Sequence, residues 1–192
     1  MSAVVVGKNN TYGTIIMLHG LGDSGAGWQP IAEHFEKYFP LKWILPNAPS
    51  IAVTLNFGME MPAWYDIYQL NTGAVQDAVG MGKSVKVVHD FIDKEIQAGV
   101  PPEKIFVGGF SQGGAVALLS GLRYSKQLGG ILALSTYLPL YEKLKNEVFF
   151  FFFFLIFKNS FFTHKKSSFQ TLQKNTPIFM AHGEADQVIH LY

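Results

Sequence analysis

The chain has 192 residues, enough for one domain with its own core, and 48% of them are apolar. Its formal net charge is +1, with Lys and Arg scattered rather than striped, which argues against nucleic acid as the main partner. Without cysteine it has no disulfide, no thiolate metal site and no thiol nucleophile.

The first eight residues, MSAVVVGK, lack the basic start and full apolar stretch of a secretory leader, so a soluble cytoplasmic protein is expected. Short apolar runs at 14–18, 43–45, 105–107 and 131–134, and a fifth at 178–181 after Pro177, read as strands. They are rich in Ile, Val and Phe and do not alternate with polar residues, as expected of parallel strands covered on both faces. Between them, Ile31, His34, Phe35 and Tyr38 share one face of a helix that Pro30 is expected to start. Met81, Val85, Val88, Ile92 and Ile96 form a longer helical stripe, closed by Gly99 and Pro101-Pro102. Strands alternating with helices predict an α/β fold, a mostly parallel sheet with helices on both faces. In such sheets ligands bind at the carboxyl ends of the strands.

The run Gly109-Phe110-Ser111-Gln112-Gly113-Gly114 lies between a predicted strand and the small-residue helix that begins Ala115-Val116-Ala117. Strand, G-x-S-x-G, helix is the layout of a nucleophile elbow, in which a sharp turn pushes the serine hydroxyl outward. A serine hydroxyl needs a general base, usually a histidine oriented by a carboxylate. Asp186, in the loop after the strand 178–181, is the best-placed carboxylate after Ser111; its alternative role is a helix N-cap for 187–189. Beyond Asp186 the sequence holds only His190, four residues on, which keeps both side chains on one short segment. A base belongs on a separate loop, so His190 is expected at the surface and His164 is not a base either.

Two backbone N–H groups must meet the oxyanion of a tetrahedral intermediate. Gln112, after the nucleophile, is one candidate, and Leu21 in the loop after the first predicted strand is the other. That loop, Gly20-Leu21-Gly22-Asp23-Ser24-Gly25, also matches G-x-G-x-x-G, a dinucleotide-binding turn. The rival is weak: the next strand ends Leu45-Pro46-Asn47, with no ribose-binding acid, and Asp23 would oppose a pyrophosphate. His19 is expected to shape the loop, His34 to pack on its helix and His89 to be solvated. No His, Asp and Glu spacing resembles a metal site. Met61 and Trp64, in the aromatic stretch 59–66, are candidates to wall a pocket for an apolar acyl group, core packing being the alternative.

Residues 148–168 break the pattern. Val148 to Phe157 are ten consecutive apolar residues, six of them an unbroken phenylalanine run. As a helix this run would be about 15 Å long, half the hydrocarbon core of a bilayer, so it is no transmembrane segment. Six identical rings offer little shape variety for a buried strand. Phenylalanine codons resemble the pyrimidine tract of an intron end, so the expectation is translated non-coding sequence with no functional role.

These stretches together resemble the acyl-protein thioesterase and carboxylesterase family (the phospholipase/carboxylesterase group) of α/β-hydrolases. The resemblance rests on 18–25 with Trp28, 61–66, 108–114, Ala133-Leu134-Ser135 with Leu138-Pro139-Leu140, and 182–186, in the family's order. It implies a serine hydrolase of S-acyl thioesters on proteins, lysophospholipids and small esters, with no metal or cofactor and at most transient contact with membrane surfaces. It makes Ser111 the nucleophile, Asp186 the triad acid, and Leu21 and Gln112 the oxyanion donors. Three departures stand out: the phenylalanine-rich region, the lack of a histidine loop before Tyr192, and Ser2 where some animal members carry a lipidated cysteine. The expectation is therefore a single, C-terminally incomplete α/β-hydrolase domain over 1–192, with little Ser111-dependent turnover from the chain as written. The alternative is a truncated, non-catalytic form that at most binds acyl groups or partners.

Overall fold

The computed structural model describes residues 1–8, 12–70, 73–144, 153–156 and 176–183. Among these, one sheet is formed by β1 (Ala3–Val6), β2 (Thr14–Leu18), β3 (Lys42–Pro46), β6 (Ile105–Phe110), β7 (Gly130–Leu134), β8 (Phe153–Ile156) and β9 (Ile178–His182). Its seven strands lie in the order β1-β3-β2-β6-β7-β9-β8. Only β1 runs antiparallel, against β3; all other pairings are parallel. A separate hairpin of β4 (Ser50–Val53) and β5 (Met59–Pro62) follows β3. All five predicted strands are present, within three residues at either end. The chain thus has the α/β architecture read from its sequence, which missed β1, the hairpin and β8 in the phenylalanine-rich region.

The unbroken apolar runs have their reason in the two-sided core. On β2, Ile16 and Leu18 enter one apolar cluster and Ile15 and Met17 the other. Successive side chains of a strand point to opposite faces, so a strand covered twice has no polar face to show. The first cluster holds α2 (Ala78–Gln97) and α3 (Gln112–Arg123); the second holds Ala32 of α1 (Gly25–Glu36). The α2 stripe packs as its spacing implies, with Met81, Val85, Val88 and Ile92 buried and Ile96 partly so. Gly99, at φ +93, follows the last turn.

The first helix departs from expectation. It begins at Gly25, with Pro30 inside it, and its N-cap is Ser24. The Asn47 side chain, from beyond β3, accepts from the Gly25 N–H at 2.8 Å. Ala32 is the residue α1 buries in the core, whereas Ile31, His34, Phe35 and Tyr38 are all exposed, Ile31 and Phe35 to 40% and 43%, so the predicted apolar face is not the one that is buried. His34 does pack on its own helix, against Phe35 and Tyr38. His89 is a second correction: it is half-buried, bonds the Ser120 carbonyl through Nε2 at 2.9 Å and meets the Tyr124 ring edge-on. It ties α2 to α3 rather than facing solvent.

Of the region 148–168, only β8 is described; it lies at the sheet edge, parallel to β9. No helix among the described residues is long and apolar enough to cross a membrane.

Candidate active site

Ser111 stands between β6 and α3 at φ 51° and ψ −119°, a backbone region costly for any residue with a Cβ. The surroundings over-determine it. Its N–H donates to the Leu134 carbonyl at 2.9 Å, and its carbonyl accepts from the Thr136 hydroxyl at 2.7 Å. The glycines beside it are there because nothing larger fits. A Cβ on Gly109 would lie 2.3 Å from the Gly113 backbone, one on Gly113 2.5 Å from the Leu18 and His19 carbonyls, and one on Gly114 2.7 Å from Thr136. The strand can therefore turn directly into the helix, and the half-buried serine is left facing outward at the carboxyl end of the sheet.

The register of β2 on β6 brings the second segment alongside. Leu18 pairs with Gly109, so the loop that starts at His19 begins beside Ser111. A Cβ on Gly20 would lie 3.7 Å from the serine Cβ. Leu21 follows at once. The Gln112 N–H belongs to the first turn of α3, where no carbonyl four residues back can take it. The two candidate oxyanion donors thus sit on neighbouring segments flanking the serine.

The loop has no regular structure and is held by side chains. His19 is 1% exposed; Nδ1 lies 2.7 Å from the Gly20 carbonyl and Nε2 3.0 Å from the Ala48 N–H. A carbonyl only accepts and an amide N–H only donates, so the ring is the neutral tautomer with its hydrogen on Nδ1. Burial lowers the pKa of His19, against the opposing pull of the Gly20 carbonyl and Asp23. Its free lone pair is already used, so it shapes the loop, as expected, and is no base. The Trp64 indole N–H donates to the His19 carbonyl at 2.9 Å, and the Gly22 N–H donates to the Pro62 carbonyl at 2.8 Å.

The segment after β5 is in turn gripped by Gln112. Its Oε1 accepts from the Trp64 N–H at 2.9 Å and its Nε2 donates to the Tyr65 carbonyl at 2.7 Å. Ser84 of α2 donates its hydroxyl to the Trp64 carbonyl. Tyr65 meets Tyr137, from the loop after β7, hydroxyl to hydroxyl at 3.1 Å, and burial pushes both phenols up from their usual pKa. The Trp64 side chain is 2% exposed, so it braces the loop from behind instead of presenting its ring at the surface. Met61 is half-buried on β5, paired with Ile51. These braces join residues 45 and 48 positions apart, and no local pattern announces them.

The rival dinucleotide turn meets a filled helix end. Asn47 takes the Gly25 N–H, Ser24 Oγ takes that of Gly27 at 3.3 Å, and the Asp23 carboxylate lies against Gly27. An anion would have to displace all three. No His, Cys, Asp and Glu group among the described residues could hold a metal ion.

Strand β9 ends at His182, separated from β6 only by β7, so the chain leaves β9 at the same end of the sheet as Ser111. Asp186, the predicted acid, and His164 and His190 lie outside the described residues.

Comparison with known proteins agrees with this layout. The sequence profile of the phospholipase/carboxylesterase family matches residues 1–153. Acyl-protein thioesterase 1 of Neurospora crassa is 43% identical over 185 residues, covering 92% of this chain and 68% of the relative. The Schizosaccharomyces pombe protein of the same name is 50% identical over 130 residues, and there the match spans 68% of this chain but only 58% of the relative. Among solved structures, Arabidopsis thaliana SOBER1 superimposes with a TM-score of 0.75 at 35% identity, over 92% of this chain and 76% of that one.

Proposed function

The chain belongs to the phospholipase/carboxylesterase family, and from that premise we propose that it is a serine hydrolase of carboxylic esters and thioesters, foremost of S-acylated proteins. The observation that carries the reading is Ser111 held at positive φ between β6 and α3 with the 19–22 loop beside its Cβ. Lysophospholipids and small esters present the same acyl carbonyl to the same serine.

In this mechanism the Ser111 hydroxyl attacks the acyl carbonyl carbon and gives its proton to a histidine base that, as the family resemblance implies, comes from a separate loop and is neither His164 nor His190. Asp186 orients that base. The carbonyl oxygen becomes an oxyanion against the Leu21 and Gln112 N–H groups, which are fixed before the charge develops. Collapse breaks the acyl–sulfur bond, and the base returns its proton to the departing thiolate. Water, deprotonated by the same base, then attacks the acyl-serine and releases the fatty acid. Met61 is the apolar contact this reading gives the acyl chain. The enzyme works in the cytoplasm, meeting membrane surfaces transiently where its S-acylated substrates lie.

The test is thioester hydrolysis by the full-length protein. Ser111→Ala is expected to lower kcat by roughly 10⁴ to 10⁶, with the fold intact by circular dichroism. Turnover that survives this substitution would overturn the assignment.

A further inference from the structure

Gln112 is 3% exposed, and an amide is costly to bury unless its polar atoms are paired. Packing alone would be served by an apolar side chain of the same size. Both ends of the amide are used instead, on the Trp64 N–H and the Tyr65 carbonyl. Trp64 in turn holds the His19 carbonyl, and Pro62, two residues earlier, holds the Gly22 N–H. Those two anchors bracket Leu21. The backbone of Gln112 supplies one oxyanion donor, and its side chain reaches through residues 62–65 to the loop that supplies the other.

We infer that the Gln112 side chain is a positioning residue that sets the spacing between the Leu21 and Gln112 N–H groups. The inference rests on the hydrolase reading and goes beyond it. Two donors stabilise one oxygen only if both aim at the same point, and a mispositioned donor forfeits transition-state binding while leaving substrate binding nearly unchanged. Gln112 fixes its own N–H through the first turn of α3, which local backbone geometry holds. Leu21 lies in an irregular loop whose position depends on what Trp64 and Pro62 grip. Cutting the circuit at Gln112 or at Trp64 should therefore produce the same defect.

The experiment compares Gln112→Met, Trp64→Phe and the double variant with wild type in the full-length protein. Kinetics on a soluble thioester are measured beside amide hydrogen exchange over 19–22 and 62–65. The expected result is a kcat about 10²-fold lower in Gln112→Met, with KM within a factor of two and a parallel loss of affinity for a boronate transition-state mimic. Trp64→Phe should lose less, and the double variant should be no worse than Gln112→Met, because both act along one path. Exchange should quicken over 19–22 while α3 keeps its protection. Unchanged kcat and unchanged exchange in folded variants would overturn the inference, as would additive losses. If wild type itself shows no Ser111-dependent turnover, the hydrolase reading fails, and the exchange result alone decides whether Gln112 holds the loop.

Discussion

Two strand–turn–helix units stand side by side at the carboxyl end of this sheet, and they are stabilised in opposite ways. At the elbow between β6 and α3, the turn is set by backbone sterics: Gly109, Gly113 and Gly114 lie where a Cβ would overlap a neighbour by about an ångström. In the loop between β2 and α1, Gly22 has a positive φ of 77° yet faces open space, and order comes from His19, Trp64 and Asn47. The elbow is thus a rigid part by construction. The loop meets such sterics only where it enters α1, at Gly25, whose Cβ would lie 2.2 Å from the Leu45 carbonyl; residues 19–22 are held by tethers. A hydrolase needs both, because its nucleophile must be immovable and its oxyanion donors must be aimed.

The largest effect should come from attacking the elbow's sterics where they touch the loop. A methyl at Gly113→Ala would lie 2.5 Å from both the Leu18 and His19 carbonyls, backbone atoms that cannot rotate away. Either α3 or the end of β2 must shift. We expect a stability loss of about 3 kcal/mol or more, and turnover close to background, measured by thermal melting and thioester hydrolysis. A folded variant with near-wild-type kcat would show that the close contact is not what fixes the turn.

The same contrast explains what was legible in the sequence. The elbow could be read because its constraint is local: the glycines that permit the turn are neighbours of Ser111, and the strand and helix on either side carry their own patterns. The strands could be read because both faces are apolar, as on β2. The helix α1 was misplaced because its start depends on Asn47, 22 residues from the Gly25 it caps, and because Ala32, not the larger Ile31 or Phe35, is what it buries. The α2 stripe, by contrast, is buried as its spacing implies. His89 looked solvated since its partners, Ser120 and Tyr124, come from another helix. The sequence offers Trp64 as an aromatic wall and Gln112 as a backbone donor. That their side chains form a brace is tertiary information, absent from any window of sequence. Asp186 is a reading from motif order alone.

A middle-sized effect should follow from loosening the loop at its far end. Asn47→Ala removes the acceptor for the Gly25 N–H at the start of α1. The loss of such a cap is about 1 kcal/mol, which lowers Tm by roughly 2 to 4 °C in a protein of this size. Ser24 still caps Gly27, so the helix should survive. The kcat should fall less than in Gln112→Met, since Asn47 holds the helix end and not residues 20–22. A loss of kcat as large as that of Gln112→Met would move the decisive tether from Trp64 to α1.

The smallest effect is pH-dependent and separates the two units most cleanly. His19 has its pKa lowered in the folded chain by burial, so below its ordinary value of 6.5 the unfolded chain binds the proton more readily. Stability from the neutral ring is therefore fully present at pH 7 and declines as pH falls from 6.5 toward the lowered folded value. Protonation would set a second N–H against the Ala48 N–H that Nε2 now accepts, and that tether would fail first. Acid should raise hydrogen exchange over 19–22 while the first turn of α3 keeps its protection, because nothing that holds Ser111 at its positive φ titrates in this range. His19→Gln should remove this part of the pH slope. An identical slope in the variant, or exchange that rises equally in both units, would show that the loop and the elbow are one cooperative piece after all.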